Sequence, residues 1–488
     1  MYNHSSSPTV TNCTFSGNLG FTSGDVMFNA SSSVSSVTLT NCILWGNGTE
    51  NESFGTGTTV SYSIVQGSYS GTGNLDVDPL FVDATNGDFS LQPGSPAINA
   101  GDNGLYTTAG GDLVNDVDLA GNPRLFQTTI DMGAYEADFK QSRWNGSVSE
   151  DWANNDNWDE GTPDDESVAI IRDISQNIPR ISASTQAESS QLFVAENAEL
   201  NVNGVLKPVQ LIDNNGEIIF ESDATKTGQL DEFNGTISGT GSVTVQRYIP
   251  ALRGFRFLAS AVDTPNSIRE NWQENPDNSS HNPNPDFGTH ITGSQTDGMN
   301  GFDGTSTGEP SLLLFDNATQ TWDFINNTDP NTLETGNAYN LFIRGSRAVD
   351  LTVVNSSQVP SATVLRATGS LAVGEVDLSS ALATGSEEWS LIGNPYQSIV
   401  DFNGLNLSDV KPTFFYAWNP NNSTLGTYEI FDSATPAQQM VQPGQSFFVQ
   451  NSAITSPAPQ LEFIESAKNT SGLVNGVFSN NEIAILDV

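Results

Sequence analysis

Clustered carboxylates are the residues of this 488-residue sequence whose type and spacing best suit metal binding. They lie in two turn-rich runs, GGDLVNDVDLAGN and TPDDES, and are Asp112, Asp116, Asp118, Asp164, Asp165 and Glu166. Calcium takes six to eight oxygens from carboxylates and carbonyls on flexible turns. The two runs are therefore candidate Ca²⁺ sites, and calcium is the one cofactor that the sequence motivates. Neither run has EF-hand spacing, and solvated turn carboxylates are the favoured alternative.

Three tryptophans form a second candidate site, for carbohydrate. Trp144, Trp152 and Trp158 alternate with Asn, Asp and Gly in the run RWNGSVSEDWANNDNWDEG. Aromatic faces pack on the apolar faces of sugar rings while polar neighbours bind hydroxyls, so a stacking platform for an extracellular glycan is one interpretation. The favoured alternative makes them core anchors at the start of a β-rich unit.

Catalytic constellations are scarce. The chain has three histidines, so a base for an activated nucleophile has few positions, and His281, Asp286 and His290 are only a weak metal candidate. Residues 1–137 contain no lysine and a single arginine, Arg124. A lyase needs a basic residue to abstract a proton, so a lyase site cannot be assembled from this stretch alone. We find no phosphate loop, dinucleotide fingerprint or zinc knuckle. The sequence favours a non-enzymatic protein.

The charge balance narrows the class of partner. There are 57 acidic residues against 16 Lys and Arg, a net charge of −41. Such a surface repels nucleic acid and anionic lipid, and no segment has the length and apolarity of a membrane span. With 44 Gly, 23 Pro and abundant polar turn residues, the composition predicts an all-β, extracellular protein.

Loose repeats in residues 1–75 predict a solenoid. The rungs TVTNCTFSGN, VTLTNCILWGN and VSYSIVQG place Cys13, Cys42 and Ser63 at equivalent positions, 29 and 21 residues apart. Short alternating strands with Asn and Gly turns at this period indicate a right-handed parallel β-helix. Adjacent coils would bring the two cysteines within disulfide distance, but parallel side chains suit that bond poorly, so buried thiols are favoured over a disulfide.

The segment after the last rung predicts a cap. It contains, in order, DPLF, FSL, PGSPA, GNPR and DMGAYE between residues 76 and 137. These pieces resemble the choice-of-anchor Q module of bacterial surface proteins, which implies a closing element for a β-helix. The last coil of a solenoid leaves backbone groups unpaired, and Pro79, Pro93 and Pro96 suit a place where pairing stops.

The remaining chain predicts two further β units. Residues 138–250, with short strands and Asn-Gly turns, indicate a small β-rich unit or a second short solenoid. Residues 251–488 contain a duplication, in which a strand, a hairpin around an Asn-containing turn, and a Gly-preceded aromatic strand occur twice. Gly336 corresponds to Gly444, Tyr339 to Phe447 and Phe257 to Leu391. Two such copies predict a β-sandwich-like region.

The element LIGNPYQSIVDF, followed by QPGQSFFV, resembles the region preceding the sorting domain of type IX-secreted proteins of the Bacteroidetes, over about residues 247–452. The resemblance implies secretion and cell-surface display. We therefore expect a piece of a larger secreted protein with an adhesive or structural role, contacting extracellular glycan or matrix. The alternative is a carbohydrate-binding or carbohydrate-cleaving β-helix protein whose catalytic coils lie upstream.

Overall fold

Strands account for nearly all regular structure in the computed structural model. It describes residues 2–3, 6–19, 26, 28–29, 36–48, 57–173, 176–274, 284, 286–294, 296, 298–351, 359–422, 426–432, 439–455 and 458–471. Contacts divide the chain into two compact units, Met1–Gln141 with Glu166–Val168, and Ser142–Asp165 with Ala169–Val488. In the described part, no helix is long and apolar enough to cross a membrane.

The first unit begins with stacked parallel coils, which confirms the predicted solenoid. One parallel sheet consists of the strands Thr9–Thr11, Val37–Thr40 and Thr58–Ser61, in that spatial order. A second consists of Thr14–Phe15, Ile43–Leu44 and Ile64–Val65. In a third, Tyr2–Asn3 pairs with Phe28–Asn29. Side chains alternate between the two faces of a strand. Val37 and Leu39 therefore point into the core, where both are fully buried.

The corner between the two main sheets requires a left-handed backbone. Asn12, Asn41 and Tyr62 occupy it in successive coils, with φ of 50°, 52° and 47°. Asparagine accepts this conformation more readily than most residues. The side chains of Asn41 and Asn12 also hydrogen-bond at 3.2 Å, so the corner is fixed between coils as well as within them.

The two cysteines follow these corners and lie in adjacent coils. The register Thr14↔Ile43↔Ile64 places Cys13, Cys42 and Ser63 at one level, as the repeats predict. Both thiols are free, and Cys42 is fully buried. Burial raises the pKa of Cys42 to about 12, so its thiol stays protonated and unreactive at neutral pH.

The segment after the coils is held to them by backbone groups. It contains strands Phe81–Asp83 and Asp88–Leu91, a 3₁₀ turn at Ala84–Asn86 and the helix Asn103–Thr108. The amide of Gly133 donates to the carbonyl of Asn41, and the amide of Ala134 donates to Oγ1 of Thr14. Residues of the DMGAYE run therefore pair with coil residues 90 or more positions earlier in the chain.

Two carboxyl groups of that run are buried together. Asp131 accepts hydrogen bonds at 2.7 Å from the amides of Asn99 and Ala137, and Glu136 accepts one from the amide of Asp131. Burial, and then the charge of Asp131, raise the pKa of Glu136 to about 9. Glu136 is thus protonated in the folded protein at neutral pH.

The second unit starts with another set of parallel coils, so the short-solenoid alternative describes residues 138–250. One sheet consists, in spatial order, of the strands Lys140–Arg143, Ser167–Ile171, Gln186–Val194, Val205–Asn214 and Gln229–Leu230. Strand Thr236–Ser238 also pairs with Val205–Asn214. The other orders Arg180–Ile181, Glu199–Val202, Glu217–Phe220 and Ser242–Ile249. Leu200, Ile218 and Val243 alternate inward and are buried.

Strand Ser242–Ile249 joins these coils to the rest of the unit. One edge pairs in parallel with Glu217–Phe220, and the other pairs antiparallel with Thr363–Leu371, which continues to Val262–Asp263. A single apolar cluster runs from Trp144 to Ala467. The predicted division at residue 250 therefore has no counterpart in the hydrophobic core.

Two four-stranded antiparallel sheets follow, and we call them the N-terminal copy (residues 254–343) and the C-terminal copy (residues 389–450). In spatial order, the N-terminal copy has Gly254–Ala259, Ala338–Ile343, Leu312–Asp316 and Thr321–Phe324. The C-terminal copy has Trp389–Gly393, Ser446–Gln450, Phe414–Asn419 and Thr427–Asp432. In both copies the first strand along the chain lies beside the last, and the middle hairpin lies outside.

Equivalent hydrogen bonds link the two copies. The amide of Ala259 donates to the carbonyl of Gly444, and the amide of Gly393 donates to the carbonyl of Gly336, each at 2.9 Å. The two acceptor glycines have φ of 78° and 71°, a region that other residues rarely adopt. The correspondence of Gly336 with Gly444 thus coincides with a repeated structural feature.

Smaller elements complete the second unit. One sheet orders Val376–Asp377, Gln460–Phe463 and Asn406–Ser408, and another pairs Val400–Asp401 with Met440–Val441. Short 3₁₀ turns lie at Asn155–Asn157, Ser379–Ala381, Phe402–Gly404 and Glu465–Ala467. Lys468 is fully buried there against Glu465 at 2.7 Å, and its Nζ lies 4.6 Å from the ring centroid of Tyr396.

We predict that Glu136 makes the cap less stable as pH rises. The folded state keeps a proton that the unfolded chain releases above its ordinary pKa of 4.5, so the free energy of unfolding falls between pH 4.5 and about 9. The slope reaches about 1.4 kcal/mol per pH unit. Glu136→Gln should remove this pH dependence. Asp138 is an exposed carboxylate, so the control Asp138→Asn should keep it. The pH dependence of stability is measured by hydrogen exchange at the amides of residues 99–137, corrected for intrinsic exchange rates. If Glu136→Gln keeps the same slope, the pH dependence does not come from Glu136.

A second prediction concerns Gly336. A Cβ there would approach Cδ2 of Leu378 to 2.6 Å in addition to the strain of its positive φ. Gly336→Ala should destabilise the second unit by roughly 2–4 kcal/mol. Gly374 has a φ of 74° but open space around it, so Gly374→Ala should cost only the strain, about 1–2 kcal/mol. Urea denaturation compares the two, and equal losses would show that the contact with Leu378 is unimportant.

Candidate functional site

The outward faces of the two copies carry an apolar cluster separate from the main core. Phe257, Leu391 and Phe448 are buried in it. Half-buried side chains pack around them: Phe315, Ala338, Trp389, Tyr416 and Trp418. The alternation of strands explains the separation, since Phe415 and Ala417 point into the main core while Tyr416 and Trp418 point away from it.

An open cleft of about 450 Å³ lies on this cluster, within the usual range for small-ligand sites. Its lining comes from both copies and consists of Phe315, Gln320, Trp322, Trp389, Tyr416, Tyr428 and Phe448. Six of the seven side chains are aromatic. Trp322 and Tyr428 remain 38% and 46% exposed, although each is large and apolar. We call this site the aromatic cleft.

The rings of the aromatic cleft are held in edge-to-face contacts. Phe448 lies at the centre, 4.9 Å from Phe315 and 5.6 Å from Phe257 between ring centroids, with interplanar angles of 85° and 73°. Trp389 and Tyr416 are 5.3 Å apart at 82°. This geometry is the favoured one for aromatic pairs, so the rings are arranged before any ligand binds.

One wall of the aromatic cleft is fixed by side-chain amides. Gln320 donates from Nε2 to the carbonyl of Trp389 at 2.7 Å and accepts from its amide at 2.9 Å. Asn317 likewise accepts from the amide of Leu391 at 2.8 Å. The hairpin turn of the N-terminal copy is thereby attached to the first strand of the C-terminal copy, and both Trp322 and Trp389 line the cleft.

Polar groups are few but present around the rings. The hydroxyls of Tyr416 and Tyr428 belong to lining residues, and burial raises the pKa of Tyr428, so its hydroxyl is protonated at neutral pH and can donate. Nε1 of Trp418, which packs 5.2 Å from Tyr428 between ring centroids, is buried and has no hydrogen-bond partner among the described residues. The site can therefore combine ring stacking with a small number of hydrogen bonds.

The carboxylates proposed for calcium are not gathered into a site. Asp112 accepts from the amides of Val114 and Asn115, and Asp118 accepts from those of Ala120, Asn122 and Glu136. Asp116 accepts from Tyr106 Oη, and Glu166 forms an exposed ion pair with Lys140. Asp164 and Asp165 are exposed. Within the described ranges, no three His, Cys, Asp or Glu side chains group to hold a metal ion.

The predicted tryptophan platform is corrected to a buried cluster. Trp144, Trp152 and Trp158 are 0%, 1% and 3% exposed, with Trp158 between the other two at centroid distances of 5.1 and 4.6 Å. Their faces are covered by protein and cannot stack on a sugar. They anchor the start of the second solenoid, which is the alternative that the sequence favoured.

The weak histidine candidate is not a metal site in the described residues. His281 lies outside them. His290 is buried, with Nε2 at 2.9 Å from the carbonyls of Arg347 and Val349 and Nδ1 at 3.3 Å from Asp303. Asp303 is in turn held by Arg347 through two 2.8 Å hydrogen bonds. This buried group ties residues 289–303 to residues 345–349.

The aromatic cleft itself was missed at the sequence level. The signal was present, because FFYAW and TWDF place aromatic residues at alternate positions of predicted strands, and TYEIF places Tyr428 and Ile430 two positions apart. Such alternation with apolar residues on both faces indicates a strand that buries one side and exposes aromatic rings on the other. It was used only to recognise the duplication.

Fold and site together define an all-β protein with parallel coils and an open aromatic cleft. The chain matches the family described as "Domain of unknown function (DUF8693)" over residues 143–484. This range covers more than half of the chain and nearly all of the second unit, so the chain belongs to this family. We found no significant match among curated proteins and none among solved structures.

We predict that Gln320 is needed to hold the cleft wall. Gln320→Ala leaves the backbone amide and carbonyl of Trp389 without their partners, which should destabilise the second unit by about 1–3 kcal/mol. Gln210 is exposed, so Gln210→Ala should change stability by less than about 0.5 kcal/mol. Urea denaturation followed by tryptophan fluorescence measures both. If the two variants unfold alike, the amide contacts do not support the wall.

Proposed function

We infer that this protein is a non-enzymatic extracellular carbohydrate-binding protein that attaches a cell surface, or a protein carried on it, to polysaccharide. The aromatic cleft is the observation that carries the proposal. It unites the two expectations from the sequence, an adhesive surface protein and a carbohydrate-binding protein, at one site. The parallel coils of the second unit share one apolar core with the sheets that carry the cleft, and they support it.

Carbohydrate fits the cleft for chemical reasons. One face of a pyranose ring presents only C–H groups, which pack on aromatic rings, while its hydroxyls stay hydrated or meet polar side chains. The exposed rings of Trp322 and Tyr428 offer such faces, and the Tyr416 and Tyr428 hydroxyls offer hydrogen bonds. The cleft is open and its rings are already ordered, so binding fixes few side chains and loses little entropy.

Binding is favoured over cleavage by the lining of the cleft. Hydrolysis of a glycosidic bond commonly uses two carboxyl groups on opposite sides of the scissile bond. The described lining residues are aromatic or amide side chains, and none of them carries a carboxyl group. A cleft of this kind retains a sugar chain without reacting with it.

An extracellular location is part of the proposal. The net charge of −41 suits a soluble surface in salty fluid, where charges are screened within about 8 Å. The choice-of-anchor Q resemblance over residues 76–137 and the type IX resemblance over residues 247–452 support secretion and surface display. The contacts of the DMGAYE run with the coils support its role as a cap.

The test is binding of the full chain to a broad panel of immobilised polysaccharides. We expect binding to at least one, and Trp322→Ala should weaken it at least 10-fold, about 1.4 kcal/mol. Phe126 is 41% exposed in the first unit, so Phe126→Ala serves as the matched loss of an exposed ring and should bind as the wild type does. Absence of binding across the panel, or equal binding by all three proteins, would overturn the proposal.

A further inference from the structure

The outward face of the N-terminal copy continues beyond the aromatic cleft. Cross-strand register places Phe255 opposite Phe342, and Phe257 two residues further along the same strand face. Phe257 lies 6.1 Å from Trp322 between ring centroids, and Phe255 lies 5.0 Å from Phe342. Residues two apart on a strand are separated by about 6.6 Å. Phe257 is buried beneath this face, and the half-buried rings of Phe255 and Phe342 continue the face beyond it.

Two arginines stand at the far end of this row. The guanidinium carbons of Arg253 and Arg344 lie 5.3 and 4.9 Å from the ring centroid of Phe342. Arg253 is exposed and Arg344 is half-buried. Both cations thus gather on one aromatic ring, in the arrangement that cation–π attraction favours.

Among the described residues, neither arginine has a carboxylate partner. In the described part of the chain, no ion pair or hydrogen bond involves the side chain of Arg253 or Arg344, and Nη1 of Arg344 is buried without a partner. The nearby Asp303 is already held by Arg347 and His290. Burial, and then repulsion by Arg253, lower the pKa of Arg344 to about 10. Arg344 is therefore still charged at neutral pH, and neither guanidinium group has an ion-pair partner among the described residues.

This arrangement is unusual for the composition of the chain. The chain has 57 Asp and Glu residues and only 16 Lys and Arg residues. A shortage of carboxylates therefore does not explain why these two arginines lack a partner among the described residues. The C-terminal copy provides an internal comparison, because the correspondence of Phe257 with Leu391 aligns Arg253 with Glu387. Glu387 forms an ion pair with Lys411 at 2.6 Å. Arg253 and Arg344 of the N-terminal copy have no such ion pair among the described residues.

We propose that the polysaccharide bound in the aromatic cleft is anionic, and that Arg253 and Arg344 bind its carboxylate or sulfate groups. The inference rests on the proposed function. Guanidinium groups bind planar carboxylates and sulfate esters through paired N–H donors. A chain long enough to extend from the cleft, past the buried Phe257, to Phe255 and Phe342 brings an acidic substituent to the two arginines. The neutral rings supply stacking, and the arginines supply selectivity between neutral and acidic polymers.

The experiment compares neutral and acidic polymers of related backbone. Agarose is paired with carrageenan, cellulose with cellulose sulfate, and highly methyl-esterified pectin with pectate, so that sulfate and carboxylate are separated. Affinity electrophoresis of the full chain should show at least 10-fold tighter binding to one acidic member than to its neutral partner. This preference should fall as NaCl rises from 50 to 500 mM, because salt screens exposed charges.

Variants assign the preference to the two arginines. Arg253→Gln with Arg344→Gln should reduce binding of the acidic polymer to the level of the neutral one and leave neutral binding unchanged, which also shows that the protein is folded. Lys411→Gln removes the ion-paired cation of the C-terminal copy and should keep the preference. Trp322→Ala should weaken both members of the pair.

The outcomes separate the two proposals. If the wild type binds neutral and acidic members equally, or if the preference survives in the double variant, the inference is overturned while the proposed function stands. If no polymer of either kind binds, the proposed function fails, and the inference fails with it. A preference for sulfate over carboxylate, or the reverse, identifies the source of the anion.

Discussion

The second unit depends on one strand that pairs in two ways. Ser242–Ile249 is parallel to the last solenoid strand on one edge and antiparallel to Thr363–Leu371 on the other. The last strand of a stack of parallel coils leaves a row of unpaired backbone groups at its edge, which another coil would normally cover. The change of direction at this strand converts that edge into the base of an antiparallel region. The aromatic cleft is therefore supported by the same continuous core that fills the solenoid.

Duplication explains why the cleft has two dissimilar walls. Both copies keep one strand order and the reciprocal bonds through Gly336 and Gly444, since these features hold the copies together. The outward faces carry no such constraint, and they differ. One copy contributes Phe315 and Trp322, and beyond them two arginines that have no ion pair among the described residues. The other contributes Trp389 and Tyr428, with the ion pair of Glu387 and Lys411 nearby in sequence. Shared topology with divergent surfaces gives a site that neither copy forms alone.

Much of the fold was predictable because it follows local patterns. The NC repeats indicated the coils and the equivalence of Cys13 with Cys42, and the aligned glycines indicated two equivalent sheets. The site was not predictable, since it depends on which face each strand buries and on contacts such as Gln320 with Trp389, 69 residues apart. The tryptophans at 144–158 show the same limit. Their spacing suited a surface platform, and tertiary packing buried all three.

The amide contacts of Asn317 and Gln320 have a further consequence for the protein in solution. Trp389–Gly393 is an edge strand of its sheet, and such edges can recruit strands from other molecules. Here the amides and carbonyls of Trp389 and Leu391 are bonded to side chains instead. The turn therefore blocks strand addition at this edge and protects the protein from edge-to-edge aggregation beside the aromatic cleft.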